Sequence, residues 1–179
     1  SNDPMGNTFE EVTHDVNYRS AVSIAKLAKQ AGVNHFVFAS SCSVYGFADD
    51  KPRTENSDLN PLTAYAISKV SAEKALEPLA SDDFIITCFR FATACGFSPR
   101  LRLDLVLNDF VASALALKKI EILSDGTPWR PLIHVHDMAR AIHWGVNRTN
   151  EGLDNFLVLN TGSNNWNYKI KDLALVVKE

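Results

Sequence analysis

The sequence predicts an α/β fold built around a mostly parallel sheet, and three observations carry that expectation. Segments with helical spacing of apolar residues alternate with short runs dominated by apolar residues, the order that β–α–β units produce. Two of those runs, His35 to Ser41 and Phe84 to Phe91, are nearly continuous rather than alternating, as strands covered on both faces are. The 179 residues are 46% hydrophobic and 22% charged, which supplies about one domain with a real core.

The elements follow in order. Phe9, Val12, Val16, Tyr18, Val22, Ile24, Leu27 and Ala28 fall near helical spacing and predict a helix over 9–31, stopped by Gly32 as by a C′ glycine. The strand His35 to Ser41 comes next. Residues 46–61 hold Asp, Lys, Pro, Asn and Ser and read as a surface loop. A helix is expected over 62–80, a strand from Phe84 to Phe91, a helix over 105–118 and a strand from Ile120 to Leu123. Ser124 to Pro128 reads as a turn and Pro131 to Val135 as extended. Asp137 stands where an N-cap would, ahead of a helix from Met138 to Val146. Phe156 to Asn160 is a last strand, and Tyr168 to Lys178 a last helix.

Composition excludes several functions. A net charge of −3 gives no basic stripe for nucleic acid. No apolar run approaches the ~20 residues that span a bilayer. The polar, acidic start SNDPMGNTFEE is no signal peptide. Three cysteines without framework spacing (Cys42, Cys88 and Cys95) fit small buried hydrophobes in a reducing cytosol, so a cytoplasmic location is expected. His134 and His136 would share a strand face, but no third ligand of suitable spacing accompanies them, and no metal is expected. The three tryptophans read as packing residues.

The chemistry is concentrated in Tyr65-Ala66-Ile67-Ser68-Lys69. On a helix, residues four apart lie on one face. A tyrosine with an ordinary pKa of ~10 becomes a base near neutrality only if its phenolate gains ~4 kcal/mol. A lysine ammonium ~6 Å away at an effective dielectric of ~20 supplies roughly 3 kcal/mol. About 20 residues earlier a buried-type strand ends in Ser40-Ser41-Cys42-Ser43-Val44-Tyr45-Gly46. Ligands of open α/β sheets sit beyond the carboxyl ends of strands, which puts Ser41 where it could bond the same substrate hydroxyl as Tyr65. A Tyr-x-x-x-Lys match on its own is weak, and the strand-end serine gives it weight.

SSCSVYG, Asn60-Pro61, YAISK, RFATACG and WRPLIHVHDMARA, in that order, resemble successive landmarks of the extended short-chain dehydrogenase/reductases. Within them the chain is most similar to the NAD-dependent epimerase/dehydratase family, of the UDP-galactose 4-epimerase-like kind. The resemblance implies a Rossmann-type doubly wound parallel sheet with a smaller substrate-binding domain. It implies that residues 1–96 are the C-terminal half of the NAD-binding domain, that 97–135 and 163–179 are substrate-domain segments, and that 136–162 return to the main sheet. The family's glycine-rich opening, which cradles the dinucleotide pyrophosphate at a helix N-terminus, would then precede Ser1.

By the same resemblance Tyr65 is the catalytic base, Lys69 holds the nicotinamide ribose and tunes Tyr65, and Ser41 is the third catalytic group. Asn17 and Phe91 lie on the cofactor side, with NAD expected and NADP as the alternative. Arg130 matches an arginine that clamps the substrate pyrophosphate, a task that suits a planar guanidinium. Arg102 and Asn108, with Arg100, are further substrate candidates. Thr93 departs from the asparagine common at that position. Helices 9–31 and 62–80 would pair across a homodimer. The expected reaction is nucleotide-sugar epimerisation, with a reductase or dehydratase as the alternative and a non-catalytic dinucleotide sensor as the alternative of another class. Against the dehydratase, Cys42 and Ser43 stand where the resembling dehydratases carry an Asp-Glu pair, and Asp49 and Asp50 lie several residues further on.

Overall fold

A computed structural model of the chain describes residues 6, 8–47 and 51–179. The opening helix runs as α1 (Glu10–His14), one π-helical turn (Asp15–Arg19) and α2 (Ser20–Gln30). Gly32 follows α2 with a φ of 76°, the left-handed geometry expected of a glycine stop. Strand β1 (His35–Ser41) leads through a 3-10 turn (Cys42–Tyr45) and the loop to α3 (Ala64–Leu76), which ends in a second 3-10 turn (Glu77–Leu79). Strands β2 (Ile85–Phe91) and β3 (Thr93–Cys95), helix α4 (Val106–Leu117), strand β4 (Trp129–His134) and helix α5 (Val135–Asn147) follow. Strand β5 (Phe156–Thr161), strand β6 (Asn167–Lys169) and helix α6 (Ile170–Lys178) complete the order.

Two sheets result. The first has the order β1-β2-β5 and is parallel throughout. Alternate residues of its strands point to opposite faces. Phe38, Ile86 and Cys88 pack with Ala25 of α2 and with Ala72 and Leu76 of α3. Phe89 and Phe91 pack on the other face with Val37, Leu159, Met138 and Ala141, the last two from α5. Both faces of β2 are therefore buried along its whole length, which explains why its sequence does not alternate. Gly145 lets α5 come close: a Cβ there would lie 2.8 Å from the Phe89 ring. The second sheet pairs β3 with β4 in parallel and β4 with β6 antiparallel. Its core holds Cys95, Phe110, Leu132, Ile170 and Leu173.

Several expectations are corrected. Ile120 to Leu123 is not a strand: it forms no ladder, and Leu123 is 92% exposed. Helix α5 starts at Val135, directly off β4. Its cap is His134, whose side chain accepts the His136 N–H at 3.2 Å. Asp137 lies inside the first turn, paired with Arg140. The helix expected over 62–80 begins at Ala64, because Thr63 is extended and accepts the Ala66 N–H at 3.1 Å. Tyr168 belongs to β6, and α6 begins two residues later. Asp49 and Asp50 lie outside the described residues. Among the described residues no helix is long and apolar enough to cross a membrane.

Candidate active site

The carboxyl ends of the three parallel strands form one row. Ser41, Phe91 and Thr161 are in register across β1, β2 and β5, with Ser40, Arg90 and Asn160 one step below. Ser41 is extended and caps the 3-10 turn, its Oγ accepting the Ser43 N–H at 3.2 Å and the Ser43 hydroxyl at 3.0 Å. Both bonds use Ser41 as acceptor, so its own proton is the one left to give. The turn ends at Gly46, whose φ is 71° and where a Cβ would lie 2.3 Å from the Asn60 carbonyl oxygen. Only glycine is unstrained there, and it brings the chain back toward α3.

Thr63 caps α3 and so places Tyr65 in its first turn. Lys69, one turn later, holds its ammonium 5.5 Å from the centre of the Tyr65 ring. Its Nζ also lies over the Phe38 ring, 4.8 Å from the ring centre. Nζ donates to the Ala39 carbonyl of β1 at 2.8 Å. That bond ties α3 to the strand that ends in Ser41, two residues on. Burial pulls the Lys69 ammonium down to about 8, against an opposing pull from the Glu73 carboxylate. A half-buried lysine with one fixed acceptor keeps two N–H donors for a ligand.

The remaining expected residues are placed as follows. Asn17 lies buried in the π-helical turn and donates to Ser68 Oγ at 3.2 Å, while Ser68 in turn donates to the Tyr65 carbonyl at 2.6 Å. It therefore links the opening helix to the first turns of α3. Phe91 is buried beside Ser41 in the strand-end row. Arg102 is bonded through Nε and Nη2 to Asp104 and holds that carboxyl below the usual carboxylate range. Asn108 closes the same segment, donating to the Arg102 carbonyl at 3.0 Å and accepting the Gly96 N–H at 3.4 Å. Arg130 is exposed on β4 and donates to the Trp129 carbonyl. Thr93 pairs with Leu132 in the second sheet. Cys88 and Cys95 are buried and Cys42 is partly so, and burial pushes the Cys88 thiol strongly up.

A buried polar cluster went unrecognised in the sequence. Glu73, one turn beyond Lys69, forms an ion pair with Arg90, which also reaches Tyr45. The one signal was a single charge, Arg90, inside the otherwise uncharged FIITCFRF.

A tyrosine and a lysine one helical turn apart, set against a strand end that carries a serine, form an arrangement for moving a proton on and off a substrate hydroxyl. On a doubly wound sheet that arrangement defines the short-chain dehydrogenase/reductase class. Residues 1–160 match the family model described as the NAD dependent epimerase/dehydratase family. The chain belongs to that family. It is 32% identical over 130 residues to a UDP-glucose 4-epimerase of Mycolicibacterium smegmatis, covering 70% of this chain and 41% of that protein. It is 30% identical over 127 residues to an uncharacterized UDP-glucose epimerase, YtcB, of Bacillus subtilis, covering 70% and 39%. Among solved structures, MoeE5 in complex with UDP-glucose and NAD aligns with a TM-score of 0.77 at 29% identity, covering 90% of this chain and 52% of that one. TunA, an NAD-dependent NDP-hexosamine 5,6-dehydratase involved in tunicamycin biosynthesis, aligns with a TM-score of 0.84 at 26% identity, covering 99% and 57%. The chain thus spans about two fifths of the length of these curated relatives and just over half of these structures.

Proposed function

We propose that this chain carries the catalytic half of an NAD-dependent nucleotide-sugar epimerase. The observation that carries the reading is the Tyr65–Lys69 pair, tethered through Ala39 to the strand that ends in Ser41. Tyr65 takes the proton of a ring hydroxyl and later returns it. Ser41 donates to the same oxygen and fixes its direction. The Lys69 ammonium stabilises the phenolate while its free donors hold the ribose of the dinucleotide, a donor set that fits a vicinal diol. Phe91 walls the strand-end crevice next to Ser41. When bound, NAD supplies the redox partner for the sugar carbon. Arg130, with Arg102 and Asn108, would hold the substrate's nucleotide part. Residues 1–96 and 136–162 would form the dinucleotide-binding part and 97–135 and 163–179 the substrate part. That division is supported by the strands of the parallel sheet, at 35–41, 85–91 and 156–161.

The likeness to TunA favours a second reading, a dehydratase. Elimination of water needs an acid for the leaving hydroxyl and a base for the neighbouring carbon. The two positions after Ser41 hold Cys42 and Ser43. A serine hydroxyl is too weak an acid for the task, and a thiol of pKa ~8.5 replaces a carboxylic acid poorly. Epimerisation needs neither group. Incubating the whole protein that carries this chain with UDP-, GDP- and dTDP-hexoses and weighing the products decides the matter. An unchanged mass with a new sugar configuration supports epimerisation. A product lighter by one water overturns it for the dehydratase, and a gain of two hydrogens at the expense of NAD(P)H overturns it for the reductase. Bound dinucleotide with no turnover of any of them would make the protein a non-catalytic sensor.

The same reading includes a homodimer. Val12, Val16, Ile24 and Leu27 of the opening helix and Ile67 of α3 are exposed, an apolar stripe that a second copy would cover.

A further inference from the structure

Under the strand-end row lies a polar cluster for which the proton-transfer group does not account. Glu73 is 4% exposed and Arg90 5%. Arg90 Nη2 lies 2.6 Å from Glu73 Oε2 and its Nε 3.1 Å from Oε1. Ser40 Oγ donates to the same Oε1. Arg90 Nη1 donates to the Tyr45 hydroxyl at 2.8 Å, which donates to Asn160 Oδ1 at 2.6 Å. Asn160 is pinned in turn by the loop, its backbone N–H bonded to Glu55 Oε1 at 2.7 Å. Desolvating two charges offsets most of their attraction, so a buried pair of this kind adds little stability over an apolar replacement. What such a pair does supply is a fixed geometry, because the guanidinium fork meets both carboxylate oxygens.

Its place in the fold gives that geometry a use. Tyr65, Lys69 and Glu73 follow one another at four-residue steps along one face of α3. Ser40 precedes Ser41, Arg90 precedes Phe91, and Tyr45 ends the turn that Ser41 caps. The helix bearing two catalytic groups and the strand bearing the third are thus bonded through Glu73. We propose that the Glu73–Arg90 pair, with Ser40 and Tyr45, is the positioning device of the reaction, fixing the depth of α3 against the strand ends so that Tyr65 and Lys69 address the oxygen held by Ser41. This rests on the reading of Ser41, Tyr65 and Lys69 given above. The groups around Lys69 are consistent with it: Tyr65 and Glu73 on its own helix, the Ala39 carbonyl and Phe38 ring of β1, and Arg90 of β2 behind Glu73. Of these, Glu73 is the one that holds the Lys69 ammonium charged against its burial.

The test compares E73Q, the double variant E73Q/R90M and S40A with wild type in the whole protein carrying this chain. E73Q leaves Arg90 buried without its carboxylate and can fail to fold. The double variant removes both charges, and S40A leaves the ion pair in place. The expected result for the double variant is a kcat lower by about 10²-fold, the scale of a 1 Å misplacement, with KM within about threefold and an unchanged melting curve. S40A shows a smaller fall in kcat in the same direction. In E73Q, amine labelling of Lys69, read by peptide mass spectrometry without substrate, begins at lower pH than in wild type. A folded double variant and a folded S40A that both keep wild-type kcat would overturn the proposal and leave the cluster as packing only. The failure of the underlying reading is a separate result, since it shows in wild type as the absence of any nucleotide-sugar turnover.

Discussion

Replacing Lys69 by methionine keeps an unbranched side chain and removes the ammonium. That ammonium is 5.5 Å from the centre of the Tyr65 ring. At an effective dielectric of ~20 such a separation gives ~3 kcal/mol of attraction for a phenolate. At 1.36 kcal/mol per tenfold, K69M therefore lowers the rate of the proton-transfer step by about 10²-fold at neutral pH. The assay is turnover of whichever nucleotide hexose the whole protein accepts, at saturating NAD, with kcat and KM measured from pH 6 to pH 10. The deficit should be largest at low pH and shrink as pH rises, because hydroxide then does what the ammonium did. A K69M enzyme within threefold of wild-type kcat at pH 7 would refute the assignment of Lys69 as the group that activates Tyr65. The same substitution reports on folding. Burial lowers the Lys69 pKa from 10.5 to about 8, so between those values the unfolded chain binds more protons than the folded one, and this group makes stability rise with pH. Below about pH 8 the folded protein carries the full penalty, ~3 kcal/mol at 1.36 kcal/mol per unit. K69M should melt higher than wild type at pH 7 and lose that part of the rise above pH 8.

Three further outcomes are expected. G46A should destabilise the fold by ~1–3 kcal/mol, since it forces a left-handed φ on alanine and a Cβ into the Asn60 carbonyl; denaturant unfolding checks it, and an unchanged midpoint contradicts it. Light scattering should find the proposed dimer in wild type and a monomer in I24E combined with L27E, with the far-ultraviolet dichroism preserved; a dimer that persists at micromolar concentration contradicts the proposed interface. T63A should cost ~1 kcal/mol through the lost cap of α3, visible as a lower melting temperature, and no change would mean that the cap bond does not hold the first turn that carries Tyr65.

Much of this was legible in the sequence, and the reasons are local. Strand β2 could be read because burial on both faces leaves a continuous apolar run, and α3 because four-residue spacing places Tyr65 and Lys69 on one face. The position of Ser41 at the carboxyl end of a parallel strand followed from the apolar run that precedes it. Elsewhere the deciding information was not local. Ile120 to Leu123 has a strand's composition, but a strand needs a ladder partner and none pairs with it. Strands β3 and β6 are three residues each, too short to show a period. Asp137 is the better cap by residue type, yet α5 starts at Val135 because β4 leaves His134 extended and its imidazole free to cap. The Glu73–Arg90 cluster joins residues 17 apart, and the Tyr45–Asn160 bond joins residues 115 apart, separations that no pattern along the chain displays.

In the proposed reaction Tyr65 moves the proton on which oxidation of the nucleotide sugar depends. Its test is a single turnover of the whole, NAD-loaded protein mixed with the nucleotide hexose it accepts, followed by the near-ultraviolet absorbance of reduced nicotinamide. Wild type and Y65F are run side by side, and binding of that nucleotide hexose to each is measured by calorimetry. Y65F should bind the sugar nucleotide as wild type does and develop the signal ~10²–10⁴ times more slowly, the share that acid–base catalysis carries. Equal rates in the two proteins would contradict it.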